Sequence, residues 1–380
     1  MKTIQEMLQE LSQCIVTVSG EFRFRTNWNG GKVPQPDLDV FDPNVPFCIE
    51  NVGDVPVEFG LYDYVDNIMP FIRNARKNCK ISYNLKTWQD YDIASTKNLT
   101  IPDVNKITLK NNGDRVYIKA DFAIPSRTID FYTHLIVLNQ SKDTKIRARG
   151  NIISLNKGSD DKYKTDYLNL TMEEASCFRQ LFKECTSLIQ APELPSTEIY
   201  LACYYQMFQG CTSLIQAPKL PAMEIGDTES VIGYSGCYED MFKGCTSLTQ
   251  APDLPATRLS FSCYSNMFNG CTGLTQAPAL PATKLATGCY EAMFRRCTSL
   301  TQAPELPATT LAEYCYNGMF RACKKLNYVK CFATNITATD CVAYWLENVA
   351  KPGDFYTPAS TNWTSGISGI PTGWTRHDIT

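Results

Sequence analysis

Cysteines recur on a fixed schedule in the second half of this chain, and that schedule leaves little freedom of fold. One series runs Cys177, Cys203, Cys237, Cys263, Cys289, Cys315 and Cys341, with steps of 26, 34, 26, 26, 26 and 26 residues. A second follows the first six members by 8 residues: Cys185, Cys211, Cys245, Cys271, Cys297 and Cys323. The whole sequence repeats around this frame as Cys-Tyr-x-x-Met-Phe-x-Gly-Cys-Thr-Ser-Leu-Thr-Gln-Ala-Pro-x-Leu-Pro-Ala-Thr-x-Leu, which Cys289 to Leu311 follows closely. A fixed period in the twenties is the signature of a solenoid.

Within one copy, Cys289, Met293 and Cys297 stand four residues apart with Phe294 beside them, which predicts one face of a short helix. Leu300-Thr301-Gln302-Ala303 predicts a brief strand that pairs with its equivalents in adjacent coils. Pro304 lacks an N–H and should end that ladder, and Leu306-Pro307-Ala308 turns the chain back. No single coil can close a core. Stacking must therefore supply the cohesion, at about 1.5–3 kcal/mol for each large side chain fully buried. The cysteines then read as small hydrophobes in a narrow interior, with inter-coil disulfides as the alternative for an exported chain. Metal binding and cofactors are not expected, since no Cys-x-x-Cys pair occurs and two thiols eight apart on a helix cannot hold one zinc.

The 36 Lys plus Arg nearly balance 39 Asp plus Glu, which argues against a nucleic-acid partner. Apolar runs such as Leu135 to Leu138 are too short to span a bilayer, so no membrane insertion is expected. Near the N-terminus, Glu6 and Glu10 interrupt any secretory apolar stretch. Residues 3–13 instead predict a short amphipathic helix, with Thr3 and Glu6 at capping-box spacing and Ile4, Met7, Leu8 and Leu11 on one face.

Four regions follow. Residues 1–45 form a helix/strand arm and a candidate assembly anchor, with Cys14-Ile15-Val16-Thr17-Val18 and Phe22-Arg23-Phe24 alternating like strands. Residues 46–160 form a β-rich, sandwich-like module, in which Asn112-Gly113 suggests a hairpin between Ile107–Leu109 and Val116–Ile118. Residues 161–345 form the repeats, and residues 346–380 cap their last edge. The expected class is α+β: a β-sandwich-like module followed by a solenoid of 26-residue coils.

The motif Met-Phe-x-Gly-Cys-Thr-Ser-Leu-Thr-x-Ala-Pro-x-Leu-Pro-Ala-Thr resembles the BspA-like, treponeme-type leucine-rich repeats of gut anaerobes and their bacteriophages. It covers residues 170 to 345 or so. Ile81-Ser82-Tyr83-Asn84 with Thr87-Trp88, Gly113–Tyr117 and Gly150–Leu155 look like the β module and junction that precede such repeats, and Gly369–Thr375 resembles their terminal cap. The role this resemblance implies is adhesion or surface recognition.

No catalytic motif appears, and the two histidines, His134 and His377, lie in separate regions. The chain therefore reads as non-enzymatic. Gln190, Gln216, Gln250, Gln276 and Gln302 predict a polar ladder; its bland reading, amide stacking that fixes register, is favoured over a ligand-facing stripe. Phe178, Tyr204, Tyr238, Tyr264, Tyr290 and Tyr316 predict packing with exposed hydroxyls. Lys183, Lys243, Arg295 and Arg321 fall where helix C-termini would favour cations, a poor anion site. The 34-residue step adds eight residues before Cys237, so Asp227, Glu229 and Tyr234 form a candidate contact loop, or a neutral insertion. An outward-facing family without an export signal fits a bacteriophage virion component (fibre, tail or head decoration) assembled in the host cytoplasm. Its partners would be other proteins of an assembly, copies of itself included, and a host-surface protein or glycan. A bacterial cell-surface adhesin lacking its leader is the alternative.

Overall fold

The structure is a computed structural model that describes residues 15–18, 21–24, 45–64, 78–92, 94–96, 106–120, 133–155, 178–199, 202–225 and 236–379. The chain divides into two units, Met1–Val40 and Phe41–Thr380. In the first, β1 (Ile15–Val18) pairs antiparallel with β2 (Glu21–Phe24), Ile15 opposite Phe24 and Val18 opposite Glu21. The expected helix carrying Ile4, Met7, Leu8 and Leu11 lies outside the described residues.

The second unit runs through β3 (Phe47–Asn51), β4 (Val57–Tyr64), β5 (Asn78–Ser82), β6 (Gln89–Asp92), β7 (Ala94–Thr96), β8 (Ile107–Leu109), β9 (Arg115–Ala120), β10 (Thr133–Val137) and β11 (Ile146–Arg149). Two sheets result. One has the order β10-β4-β7, with β8 also on β4; the other continues through β11-β3-β9-β5-β6. Period-two alternation aims Phe47, Ile49, Val116, Ile118 and Ile146 inward from the second, where they share one buried cluster with Val57, Phe59, Ile107, Leu109 and Leu135 from the first. The hairpin expected at Asn112-Gly113 does not form, because β8 pairs with β4 and β9 pairs with β3 and β5. Instead the turn caps β3: Gly113 N–H donates to the Asn51 carbonyl at 2.8 Å, and Asn51 N–H donates to that of Asp114 at 3.0 Å. Apolar faces on both flanking strands drive the link across the core rather than along one sheet.

The repeats continue this sheet. β12 (Leu188–Gln190) pairs parallel with β11, and the first copy is held by Gln140, whose amide oxygen accepts from Thr186 N–H at 2.6 Å. Successive copies then stack in register. Leu188, Leu214, Leu248, Leu274, Leu300 and Leu326 are fully buried, as are Met207, Met241, Met267, Met293 and Met319. A further short ladder joins β13 (Glu198–Ile199) to β14 (Glu224–Ile225), and Glu224 bridges to Arg258.

The expected α+β class, with a solenoid of helix-bearing coils, is corrected here. Among the described residues there is no α-helix; one 3-10 turn, Ile152–Leu155, stands beside strands in several small sheets. The segment predicted to be helical is a chain of turns that bonds to its neighbours. In the copy around Cys263, the N–H groups of Ser262, Tyr264, Asn266, Phe268 and Gly270 donate to the next copy at 2.7–3.0 Å. The intervening Cys263, Ser265, Met267, Asn269 and Cys271 donate three residues back at 2.9–3.3 Å. Every fourth residue has positive φ: Ser262 at 50°, Asn266 at 54° and Gly270 at 80°.

The physical reason lies in the spacing. Cys, Met and Cys recur every four residues, which drifts roughly 40° per step around a helix of 3.6 residues per turn. A segment of barely two turns is also too short to hold a helix alone. Identical neighbours stacked in register offer a partner for every second N–H, so the backbone is satisfied between copies. Left-handed residues cost about 1–2 kcal/mol each unless they are glycine. That explains the consensus glycine before the second cysteine, at φ 74° in Gly210, 77° in Gly244 and 80° in Gly270.

The end of the chain extends the same pattern. β15 (Tyr328–Lys330), β16 (Gly353–Pro358) and β17 (Trp374–Ile379) form a parallel three-stranded sheet, and Gln302 bridges to Tyr328. Trp345 stacks on Tyr316 at 6.3 Å and on Trp363 at 5.2 Å, closing the aromatic column.

Candidate functional site

Two ring columns form the interior of the stack. Phe182, Phe208, Phe242, Phe268, Phe294 and Phe320 stack at 5.5–5.7 Å. Phe178, Tyr204, Tyr238, Tyr264, Tyr290 and Tyr316 stack at 5.6–6.2 Å. The exposed hydroxyls expected of these tyrosines are absent: Tyr204, Tyr238, Tyr264, Tyr290 and Tyr316 are buried. Stacking in register with the phenylalanines places the whole ring inside, and burial raises the phenols of Tyr238, Tyr264, Tyr290 and Tyr316 well above their ordinary value.

The fifteen cysteines among the described residues are buried thiols. Those of the second series act as donors. Cys211, Cys245, Cys271, Cys297 and Cys323 each direct Sγ at the carbonyl of a phenylalanine in the preceding copy, at 2.9–3.1 Å. Burial pushes Cys185, Cys263, Cys271 and Cys323 up to about 12, so these thiols stay protonated and unreactive near neutral pH. Among the described residues, no cluster of three His, Cys, Asp or Glu is placed to hold a metal, and no helix is long and apolar enough to cross a membrane.

The glutamine ladder faces outward. Backbone bridges join Gln190 to Gln216, Gln216 to Gln250, and Gln250 to Gln276, while Gln302 bridges to Tyr328. Gln190 is half-buried, and Gln216, Gln250, Gln276 and Gln302 are exposed. Gln190 also pairs with Arg147, and Arg147 with Glu50, so one register row runs from the β sheets into the repeats. The 34-residue step leaves the row intact, and Phe208–Phe242 stays at 5.5 Å across it. Asp227, Glu229 and Tyr234 themselves lie outside the described residues.

The basic column loses its helix-end setting with the helix. Lys183 donates to Gln206 Oε1 at 2.8 Å, Lys243 pairs with Asp240 at 3.1 Å, and Arg321 pairs with Glu347. His134 lies on β10, opposite Tyr62.

The row changes character at its C-terminal end, where no sequence motif marks the change. Stepping 26 residues from Gln302 reaches Tyr328, and 26 more reaches Asp354. The register pairs Tyr328 with Asp354, and Asp354 with Thr375; beside them Lys330 pairs with Tyr356, and Tyr356 with His377. Val329 and Phe355 point inward and are fully buried, so these six side chains share the outer face. Tyr328 and Tyr356 lie 5.2 Å apart, Tyr356 stacks on His377 at 4.5 Å, and His377 Nε2 meets Asp354 Oδ1 at 2.7 Å. Lys330 pairs with Glu305 at 2.6 Å and sits 4.9 Å over the Phe332 ring. The signal was the end of the glutamine column, visible only by counting past the last full copy. No protein-family model, curated protein or solved structure matches this chain.

Proposed function

We propose that the chain is a non-enzymatic recognition protein of a bacteriophage virion, a fibre, tail or head decoration, that presents the outward row of its repeats to a host surface or a neighbouring protein. The observation that carries this reading is the outward register row: backbone bridges join Gln190, Gln216, Gln250 and Gln276 across the eight-residue insertion, and the exposed Gln302 bridges on to Tyr328. A rigid row of this kind holds polar side chains in place before contact, which lowers the ordering cost of binding. The likeness of the repeat motif to BspA-like leucine-rich repeats supports an outward role. Fifteen buried thiols support assembly in a reducing cytoplasm over export. A bacterial surface adhesin is the second reading, favoured by the same motif.

The test is competition for adsorption. Purified native protein should lower the adsorption of particles to the bacterial host, and a variant with Gln216, Gln250 and Gln276 all replaced by alanine should compete about fivefold less well. Equal competition by the two proteins would remove the row from the contact surface, and no competition by either would remove the host-binding role.

A further inference from the structure

We propose that the outer face formed by Tyr328, Lys330, Asp354, Tyr356 and His377 is a binding subsite for a neutral saccharide. The proposal rests on the recognition reading above and names the ligand class at one end of the same row. Three features of the face point to a sugar. First, it offers flat rings beside hydrogen-bonding groups: Tyr328, Tyr356 and His377 run in series at 5.2 and 4.5 Å, with the Asp354 carboxylate 2.7 Å from the His377 ring nitrogen. C–H groups of a pyranose laid across this ring ladder pack against it while its hydroxyls donate to a carboxylate and accept from a lysine or imidazole.

Second, the charged groups are already engaged. Lys330 is paired with Glu305 at 2.6 Å, and the Asp354 carboxylate meets the His377 ring nitrogen at 2.7 Å. A phosphate or other anion would meet two carboxylates, whereas a neutral polyol meets donors and acceptors together. Third, every ring carries a polar atom except Phe332, which Lys330 covers at 4.9 Å. An apolar anchor pocket of the kind that dominates protein–protein contacts is missing from this face. The groups also stand on adjacent parallel strands, with Asp354 about half exposed, at 52%, so the site is held open by the sheet rather than assembled by a loop. Where the row turns from Gln to Tyr328 and Asp354, its rings and carboxylate select the class of ligand.

The test uses the full chain in affinity electrophoresis through gels containing dextran, mannan, galactan or xylan. At least one of these neutral polysaccharides should retard the native protein, and Tyr356→Ala and Asp354→Asn should each weaken retardation about fivefold or more. Asp354→Asn is nearly isosteric and exposed, so its loss cannot be ascribed to misfolding; thermal melts of both variants check this. Thr283→Ala, an exposed change in the repeats away from this face, should be retarded like the native chain. Retardation by none of the four polysaccharides, or retardation unchanged in both variants, overturns the proposal. If particles still lose adsorption to the competing protein in that event, the recognition reading stands and only the saccharide assignment falls.

Discussion

A cysteine in this stack does two jobs that a small hydrophobe alone would not. It fills the interior, and in the second series its S–H reaches back to a phenylalanine carbonyl of the preceding copy, as Cys271 does to Phe242 at 3.0 Å. Both depend on the protonated thiol. Folded values near 12 for Cys185, Cys263, Cys271 and Cys323 lie above the ordinary 9.0, so between these limits the unfolded chain sheds protons that the native chain keeps. Their contribution to stability is complete below about pH 9 and declines as pH rises toward about 12. Urea midpoints should therefore fall steeply between about pH 9 and about pH 11, and a flat profile would mean that the thiols are not buried as placed. The burial of these residues was legible from their spacing. The donor role was not, because it depends on which carbonyl the neighbouring copy presents.

Among elements, the segment from each first cysteine to the second separates pattern from conformation. The pattern named its buried members correctly, since Cys289, Met293, Phe294 and Cys297 are all fully buried. It could not tell a helix from a turn chain, because both bury residues four apart over so short a span. What distinguishes them is the partner of every second N–H, and that partner lies in another copy. Arg296 offers a test by sign: it is exposed, has φ of 62°, and occupies the position that is glycine in Gly210, Gly244 and Gly270. In the turn chain Arg296→Gly should relieve left-handed strain and raise stability by about 1 kcal/mol. In a helix the same change would cost about 1 kcal/mol. Chemical denaturation of the single variant decides between them. The missed hairpin at Asn112-Gly113 has the same origin, for its turn chemistry was read correctly and its strands' partners were not.

At the scale of the molecule, register pairings run from Glu50 through Gln190 to Gln276, and again from Gln302 through Tyr328 to Thr375, linking the β sheets to the repeats and the repeats to the closing sheet. The middle of the row was readable as a glutamine column; the 26-residue spacing carries on to Tyr328 and Asp354 with a change of residue type, whereas at the other end strand pairing alone extends it. The first unit is Met1–Val40. If it anchors the protein in a particle, deleting residues 1–25 should leave a folded, soluble body that no longer joins the particle. Normal incorporation of the truncated chain would dismiss the anchor, and its unfolding would assign those residues to the body's own core. The virion assignment itself is tested most directly by density-gradient banding of phage from the source culture, with quantitative mass spectrometry across the fractions. A virion component must co-band with the major capsid protein at a constant ratio through successive gradients. Recovery in the bacterial envelope or soluble fractions, with none in the particle band, would contradict it.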